Sequence, residues 1–568
     1  MIRFYGKFGY KEEKIGMSEV IRQETIAVNT EQVENRQKVQ DTVQKNNMTL
    51  ASLKSETKES GKLRENFRFF GSVTLLYSCF YAFCMYRNGS GITFPFFMVG
   101  SLLFLCCSLE RLSITLRKGS GFYMTSMILL AVSTFCTDDT KIINLNKTAI
   151  FLLMMSLLLK QFYDTSDWHL GKYLRSILQL VVCSWGEMGR PFSDGAHYFK
   201  TEGKKNKTLW SVVLGVAIAV PMIATVVALL SGADVLFRGM TRELVEWINP
   251  GNLFSVVFRI AAMFFGTYML IAFLCRRSIK TEVPDKRNGE PVLAITVTSL
   301  LSLIYILFSG IQIFGLFLGR MELPEGYTYA MYAREGFFQL LVVSVLNLVI
   351  VLCALAYFKE SKVLKGILTI MSLCTFVMIA SSAMRMILYI QSYYMTFLRL
   401  FVLWALVVLF VLFVGVIVSI FREKFKLFGY SVAVVSVMYL ALSFSHPDLI
   451  IARVNVGNVG QESKSTDNTE HSAYSDFSYL SDLSADAAPI LIPYMEKLGY
   501  DLSMYWEEDI WEALAEEKDY RSEETYSWKS TGFGYHYLNR LQGRLEDFSW
   551  RTYNISRHMA LLQLEKYK

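Results

Sequence analysis

Residues 397–421 read FLRLFVLWALVVLFVLFVGVIVSIF, an apolar run in which Arg399 is the single charged residue. An α-helix of about 20 apolar residues spans the roughly 30 Å hydrocarbon core of a bilayer. A helix that covers a soluble core would show one polar face, whereas this run is apolar all round. The stretch therefore predicts a transmembrane α-helix.

The overall composition extends that prediction to most of the chain. Of the 568 residues, 53% are hydrophobic and 19% are charged, and the mean hydropathy is +0.32. Soluble domains carry about 25% charged residues, so a soluble multidomain enzyme, a collagen-like chain and a disordered chain are excluded. The nine cysteines form no C-x-x-C pair, which removes that kind of redox or metal site. The basic residues fall largely in loops between apolar runs and predict no nucleic-acid partner.

We predict an all-α integral membrane protein, a polytopic bundle of about 11 transmembrane helices (9–11) with a small helical C-terminal domain. The third and fourth spans are short, and Lys147 interrupts the fourth, so they form either a tight hairpin or a re-entrant pair. In order, the predicted spans are Phe69–Tyr86, Ile92–Leu109, Phe122–Thr137, Leu145–Leu159, Leu209–Ser231, Leu253–Cys275, Val292–Leu318, Gly336–Phe358, Leu364–Ile390, Phe397–Phe421 and Leu427–Ser445.

The polarity pattern divides the chain into four parts. Residues 1–68 form a polar cytoplasmic N-terminal tail, either a disordered or frayed helical segment or a short coiled coil, and residues 69–446 form the bundle. An amphipathic segment at 168–188 lies in the membrane interface or packs on the end of the bundle. Residues 447–475 are a linker, and residues 476–568 form an acidic, aromatic-rich extracytoplasmic helical domain.

The loops between the spans alternate in charge. Loops after the even-numbered spans are rich in Lys and Arg, as at Arg276 and Arg277, whereas the opposite loops hold few bases, such as Arg87 and Lys141. The positive-inside rule then places the N-terminus in the cytoplasm, and an odd number of spans places the C-terminus outside. The predicted location is the cell membrane, with the lipid bilayer as the first partner.

The usual signatures of catalysis are missing. The chain has no Walker A, dinucleotide-binding, H-E-x-x-H or G-x-S-x-G pattern, and its six histidines are not paired at metal-ligand spacing. We therefore expect no catalytic residue, no metal and no cofactor, and the sequence argues against an enzyme. A membrane-embedded transferase for lipid-linked substrates would need an acid or histidine at the membrane surface. Its candidates are Asp234, Glu335, His446 and Asp448.

Polar residues in or beside the spans are the candidate site residues, because a charge in hydrocarbon costs about 2.5–3.5 kcal/mol. Glu335 paired with Arg385 or Arg259 would either line an outward-facing cavity for an anion or substrate, or clamp helices together. Asp234 is either a helix N-cap or an ion-site residue. The primary candidates are Arg259, Arg334, Glu335, Gln339, Arg385 and Arg399, and the secondary ones are Asp234, Asn347 and Asp448.

Seven short motifs follow one another along the chain. They are YAREGFFQL at 332–340, SAMRMILY at 382–389, TFLRL at 396–400, PDLIIARVN at 447–455, YLS at 479–481, DAAP at 486–489 and WRTYN at 550–554. Together they resemble the signatures of a bacterial polytopic membrane family catalogued only as a domain of unknown function. The resemblance covers about 65–560, departs from the family where no Gly precedes Thr396, and implies a fold and a location without an activity.

Two functions remain open. The first is a non-enzymatic envelope scaffold or signalling protein that presents its outer domain to a protein partner. The combination of an aromatic-rich outer domain, missing catalytic signatures and no acid at the centre of a span favours it. The alternative is a transporter or channel with an outward-facing cavity lined by Arg and Glu.

Overall fold

The computed structural model describes residues 57–165, 168, 170–202, 250–277, 279, 289–314, 336–422, 425–462, 479–506, 527–545 and 549–568, with single residues between 219 and 233. This part of the chain is helical and contains no β-strand, which confirms the all-α fold. The helices are α1 (Lys58–Glu65), α2 (Phe67–Met85), α3 (Thr93–Arg111), α4 (Ser120–Cys136), α5 (Thr140–Phe162), α6 (Leu170–Cys183), α7 (Arg190–Glu202), α8 (Pro250–Arg276), α9 (Pro291–Gln312), α10 (Phe337–Tyr357), α11 (Lys362–Tyr393), α12 (Phe397–Phe421), α13 (Leu427–Phe444), α14 (Pro447–Glu462), α15 (Ala488–Lys497), α16 (Ser527–Leu545) and α17 (Ile555–Leu564).

Within the described residues, nine helices are long and apolar enough to cross a membrane, and α4 is a shorter apolar helix. These ten match ten of the predicted spans, and the chain is a multi-pass membrane protein. The remaining predicted span, Leu209–Ser231, lies outside the described residues apart from a few positions. The fourth predicted span, Leu145–Leu159, is longer in the structure, where α5 runs from Thr140 to Phe162. Its earlier start is stabilised by Asp139, whose side chain caps the first turn by accepting a hydrogen bond from Lys141 N (2.9 Å).

Helices α2 to α5, α8 and α13 form one half of the bundle around a single apolar core. Helices α9 to α12 form the other half around two smaller cores, the second of which involves only α10 to α12. The two halves meet where α12 packs on α13. There, a Cβ atom at Gly415 would lie 2.1 Å from the ring of Tyr430, so glycine permits this close approach.

The two ends of the bundle carry different elements. At one end, which we call the domain end, the α2–α3, α4–α5 and α11–α12 loops contact the C-terminal part of the chain. At the opposite end, α1 and α6 to α8 pack together. There Lys62 Nζ donates to the carbonyl of Leu112 (3.3 Å) and Arg276 Nη1 pairs with Glu187 (2.7 Å).

Helix α6 falls in the predicted amphipathic segment. Its Tyr173 and Leu180 are buried against the bundle, so one face packs on the opposite end. The other face is apolar and exposed, with Leu178 at 63% and Trp185, in the turn that follows, at 64%. One face of this segment therefore packs on the bundle, and the location of its exposed apolar face in a membrane interface stays a prediction.

The C-terminal helices enclose a core of their own. Leu491 and Met495 of α15 pack with Leu538 of α16 and with Ile451 of α14, all fully buried. Residues 447–475 were expected to be a linker. The first part of this segment instead forms helix α14, which is stabilised because its residue Ile451 packs in the C-terminal core. Residues 463–475 of that segment lie outside the described residues, as does most of the acidic stretch after Trp506.

Candidate functional site

The structure buries Arg385, which the sequence singled out. Its side chain is 7% exposed, and its Nη2 lies 3.3 Å from Oε1 of Gln312, an oxygen that also accepts from the Ser381 hydroxyl (2.7 Å). Gly336 sits beside it with φ at +100°, and a Cβ atom there would lie 2.7 Å from Arg385 Nη1. Arg385 thus contacts the residue that follows Glu335. Arg334, Glu335 and Asp234 lie outside the described residues.

The other predicted residues do separate jobs. Arg399 lies over the ring of Tyr389 (4.2 Å) and donates to the carbonyls of the α11–α12 turn, so it shapes that turn. Asn347 is fully buried and donates to Thr375 Oγ1 (3.0 Å), joining α10 to α11. Arg259 and Gln339 lie on exposed faces of α8 and α10.

A larger polar cluster lies at the domain end, and we call it the aspartate junction. Its four aspartates come from the α4–α5 loop, the first turn of α14 and the turn before α15, and each is at most 4% exposed. Buried carboxylates require partners, so this arrangement is costly unless it is specifically satisfied. The junction consists of Asp138, Asp139, Asp448 and Asp486 with His446, Arg544 and Arg557.

Asp138 joins the bundle to the last two helices. Its carboxylate receives Arg544 Nη1 of α16 (2.5 Å) and Arg557 Nε of α17 (2.7 Å). It also accepts from the backbone of Ala485 (3.3 Å). One aspartate of the α4–α5 loop therefore holds three separate segments of the C-terminal part.

Asp486 makes the reciprocal connection. Its carboxylate accepts from Asp138 N (2.7 Å), from His446 Nδ1 (3.1 Å), and from the hydroxyls of Thr137 and Ser556. Burial alone would raise the pKa of Asp486, but these donors together hold it below its usual range. The same hydrogen bond raises the pKa of His446 above its ordinary value. The two side chains thus form an ion pair when the histidine is protonated.

Asp139 and Asp448 are only half satisfied. Asp139 Oδ1 accepts from Lys141 N (2.9 Å) and Asp448 Oδ2 from Ser484 N (2.9 Å). The other oxygen of each carboxyl is buried and accepts no hydrogen bond from the described residues. Burial, and then the neighbouring Asp448, raise the pKa of Asp139 to about 7, and burial also raises the pKa of Asp448. This pair can therefore hold a proton near neutral pH. Within the described part of the chain, no three His, Cys, Asp or Glu side chains are arranged to bind a metal ion.

A polar knot lies in the bundle close to the junction. Asn146 of α5 is fully buried, accepts from the hydroxyls of Tyr439 (2.7 Å) and Ser443 (2.8 Å) of α13, and donates to Thr134 Oγ1 of α4 (3.1 Å). Three helices that end at or near the junction are therefore joined by one amide. Such interhelical hydrogen bonds hold membrane helices in register.

Comparison with known proteins gives one match. A family described as "Domain of unknown function (DUF4153)" matches residues 124–494, more than half of the chain. The chain belongs to this DUF4153 family. No curated protein and no solved structure matches it. The resemblance expected over about 65–560 is thus confirmed over a narrower region.

The DUF4153 region contains all four aspartates of the junction, whereas Arg544 and Arg557 follow it. Motifs that are far apart in the sequence meet here. The Asn455 side chain accepts a hydrogen bond from Met395 N (2.8 Å) and donates one to Met395 O (2.9 Å). Asn554 donates to Thr137 O (2.9 Å). Sequence reasoning named Asp448 as a candidate and placed Asp486 only in the DAAP motif, and it missed Asp138 and Asp139. The Asp138-Asp139 pair at the edge of a span was the available signal.

Replacing Asn146 with alanine is expected to loosen α4, α5 and α13. Three hydrogen bonds are lost inside the membrane, so the free energy of unfolding of the bundle should fall by about 1–2 kcal/mol. The measurement is the thermal unfolding midpoint of the full chain in detergent. Asn144→Ala is the matched control, because Asn144 lies on the exposed face of the same helix. Equal midpoints for the two variants would contradict this role of Asn146.

Proposed function

We propose that the chain is a non-enzymatic protein of the bacterial cytoplasmic membrane that presents its C-terminal helices, residues 476–568, outside the cell to an envelope protein partner. The bundle and this outer domain act as one coupled unit. The observation that carries the proposal is the aspartate junction, in which buried side chains of the bundle and of the outer domain satisfy one another.

The junction supports coupling because the domain cannot leave without exposing unsatisfied charges on both sides. Asp138 would lose both of its arginines, and Asp486 would lose the three donors that lie outside the domain, Asp138 N, Thr137 and His446. Removing one partner of a buried pair typically costs about 3–5 kcal/mol. The polar knot at Asn146 then extends the connection into the membrane helices. A partner that moves the domain would therefore act on α4, α5 and α13.

The distribution of bases supports an extracytoplasmic domain. The domain end carries few basic residues in its loops, such as Arg87 and Lys141, while the opposite end is strongly basic. The positive-inside rule favours the basic end as the cytoplasmic one. Bases in the turns and connecting segments of the opposite end include Arg117, Lys118, Lys172, Arg175, Arg276, Arg277, Lys359, Arg422 and Lys426.

Site-specific photo-crosslinking in intact cells tests the proposal. A photoreactive amino acid is placed at Leu498, which is 40% exposed on the domain, and separately at Val363, which is 60% exposed at the opposite end. We expect a protein adduct of one discrete mass from the Leu498 probe and not from the Val363 probe. Protease added outside spheroplasts should digest that adduct.

Saturation separates a partner from chance collisions. Co-expression of the full chain without a probe should compete the Leu498 adduct away, since both chains bind the same limited partner. The proposal is overturned if the Leu498 probe gives no competable adduct, or if the adduct is protected from external protease.

One observation favours a second candidate, a transporter. Arg385 is buried among α9, α10 and α11 beside Gln312, and a buried arginine in a bundle is a usual binding group for an anionic solute. An Arg385→Ala variant that keeps its abundance in the membrane and loses uptake of a solute would favour transport over presentation of a domain.

A further inference from the structure

We propose that Asp139 and Asp448 form a proton-binding site that sets how firmly the outer domain docks on the bundle: the protonated pair holds the domain, and the doubly ionised pair loosens it. This inference rests on the proposed function and adds a form of regulation to it. External pH would then be read at the same junction that couples the domain to the membrane helices.

The position of the pair makes this possible. Asp139 belongs to the α4–α5 loop of the bundle, and Asp448 lies in the first turn of α14. Through its second oxygen, Asp448 holds the backbone of Ser484, the residue that leads into the docked turn of the domain (2.9 Å). Both carboxyls are 2% exposed, and each keeps one oxygen without a hydrogen bond in the described structure. Ionising both carboxyls in a site that excludes water costs free energy, and protonation of one carboxyl removes the second charge.

The surrounding bases are engaged elsewhere. Arg544 and Arg557 bind Asp138, and His446 binds Asp486. Lys141 lowers the pKa of both carboxyls, but its exposed ammonium group lies over the rings of Phe397 (4.9 Å) and Tyr479 (5.9 Å). The titratable or charged groups that face the pair are Lys141, Tyr439, Tyr479, Asp486, Tyr537 and Arg544.

The direction of the pH dependence follows from linkage. Asp139 has a pKa of about 7 in the docked state and an ordinary value of 3.8, so docking favours its protonated form and weakens as the pH rises from about 4 through 7. His446 acts in the same direction: its raised pKa adds stability below 6.5, which is lost as the pH rises through the docked value. Asp486 opposes only in acid, where its lowered pKa makes docking weaker below about 4. Docking is thus firmest in mildly acidic solution.

Hydrogen–deuterium exchange of the full chain in lipid nanodiscs tests this. The readout is the exchange rate of a peptide that covers residues 484–491, compared at each pH between the wild-type chain and Asp139→Asn. The asparagine is uncharged and can still accept from Lys141 N. The intrinsic exchange rate cancels from this comparison, because residues 484–491 have the same sequence in both chains. We expect similar rates at pH 4, close to the ordinary pKa of Asp139, and at least tenfold faster exchange in the wild type at pH 8.

Two further measurements keep the test decisive. Asp448→Asn, which can still accept from Ser484 N, should show the same difference, and the exposed Glu496→Gln on the same domain should match the wild type at both pH values. If the variants misfold, the wild-type peptide alone should lose protection between pH 4 and pH 8, after correction with an unstructured reference peptide.

The possible failures can be told apart. Equal protection of wild type and both variants at pH 8 overturns the proton site while leaving the proposed function intact. A peptide without protection at either pH shows that the domain is not docked, which overturns the coupled unit itself. The crosslinking at Leu498 does not depend on pH control and tests the partner separately.

Discussion

Asp486→Ala should release the outer domain from the bundle and lower the free energy of unfolding by about 3–5 kcal/mol. The Asp486 side chain is fully buried and accepts from His446, Ser556, Thr137 and the backbone of Asp138. Alanine leaves three buried donors, Thr137, Ser556 and the backbone of Asp138, without an acceptor, and each unsatisfied group carries its own desolvation cost. The measurement is the urea midpoint at which the C-terminal helices become sensitive to protease in the purified full chain.

Asp482→Ala is the matched control. It removes the same type of side chain from the same domain, but the Asp482 side chain is 66% exposed and pairs with Arg540 at the surface. Exposed ion pairs contribute about 0–1 kcal/mol, so its midpoint should stay close to that of the wild type. If Asp486→Ala and Asp482→Ala resist urea and protease equally, the junction does not hold the domain.

The membrane helices could be predicted from sequence because hydropathy is a local property. The run at 397–421 sets α12 by itself, and the structure gives that helix the same bounds, Phe397–Phe421. The ends of α5 were harder to predict, because its first turn is polar and depends on the Asp139 cap. The linker expected at 447–475 begins as a helix for a related reason: Ile451 and Ala452 of α14 pack in a domain core whose other residues are distant in sequence.

The site was predictable only where charge and membrane depth coincide. Arg385 stood out because a charge within an apolar helix is costly, and the structure buries it. Its neighbour Gln312 was not named, although it lies within the predicted span Val292–Leu318. Asp138 and Asp139 flank a span, where water normally solvates a carboxylate. Their burial depends on helices that follow some 400 residues later, which no local pattern reveals.

The substitution Gly91→Ala should displace the segment 549–554 from the α2–α3 loop by steric overlap. A Cβ atom at Gly91 would lie 2.3 Å from the carbonyl oxygen of Arg551 and 2.7 Å from the Cα of Thr552. These are backbone atoms and cannot rotate aside, so the segment has to move. The hydrogen bonds from Ile92 N to Tyr553 O (2.9 Å) and from Asn88 Nδ2 to Arg551 O (2.8 Å) are then stretched. Overpacking of this kind costs about 1–3 kcal/mol, and the lost hydrogen bonds bring the expected total to about 2–4 kcal/mol.

The neighbouring Gly89 isolates the steric effect. A Cβ atom there would meet only the end of the Lys147 side chain, at 3.3 Å, and that chain can move. Gly89→Ala therefore changes the same loop by the same methyl group without forcing the backbones apart. Amide exchange at Ile92 should speed up in Gly91→Ala and remain slow in Gly89→Ala. Equal exchange in the two variants would mean that the C-terminal segment can shift without loss of free energy. The close packing of Gly91 against Arg551 and Thr552 would then contribute nothing to stability.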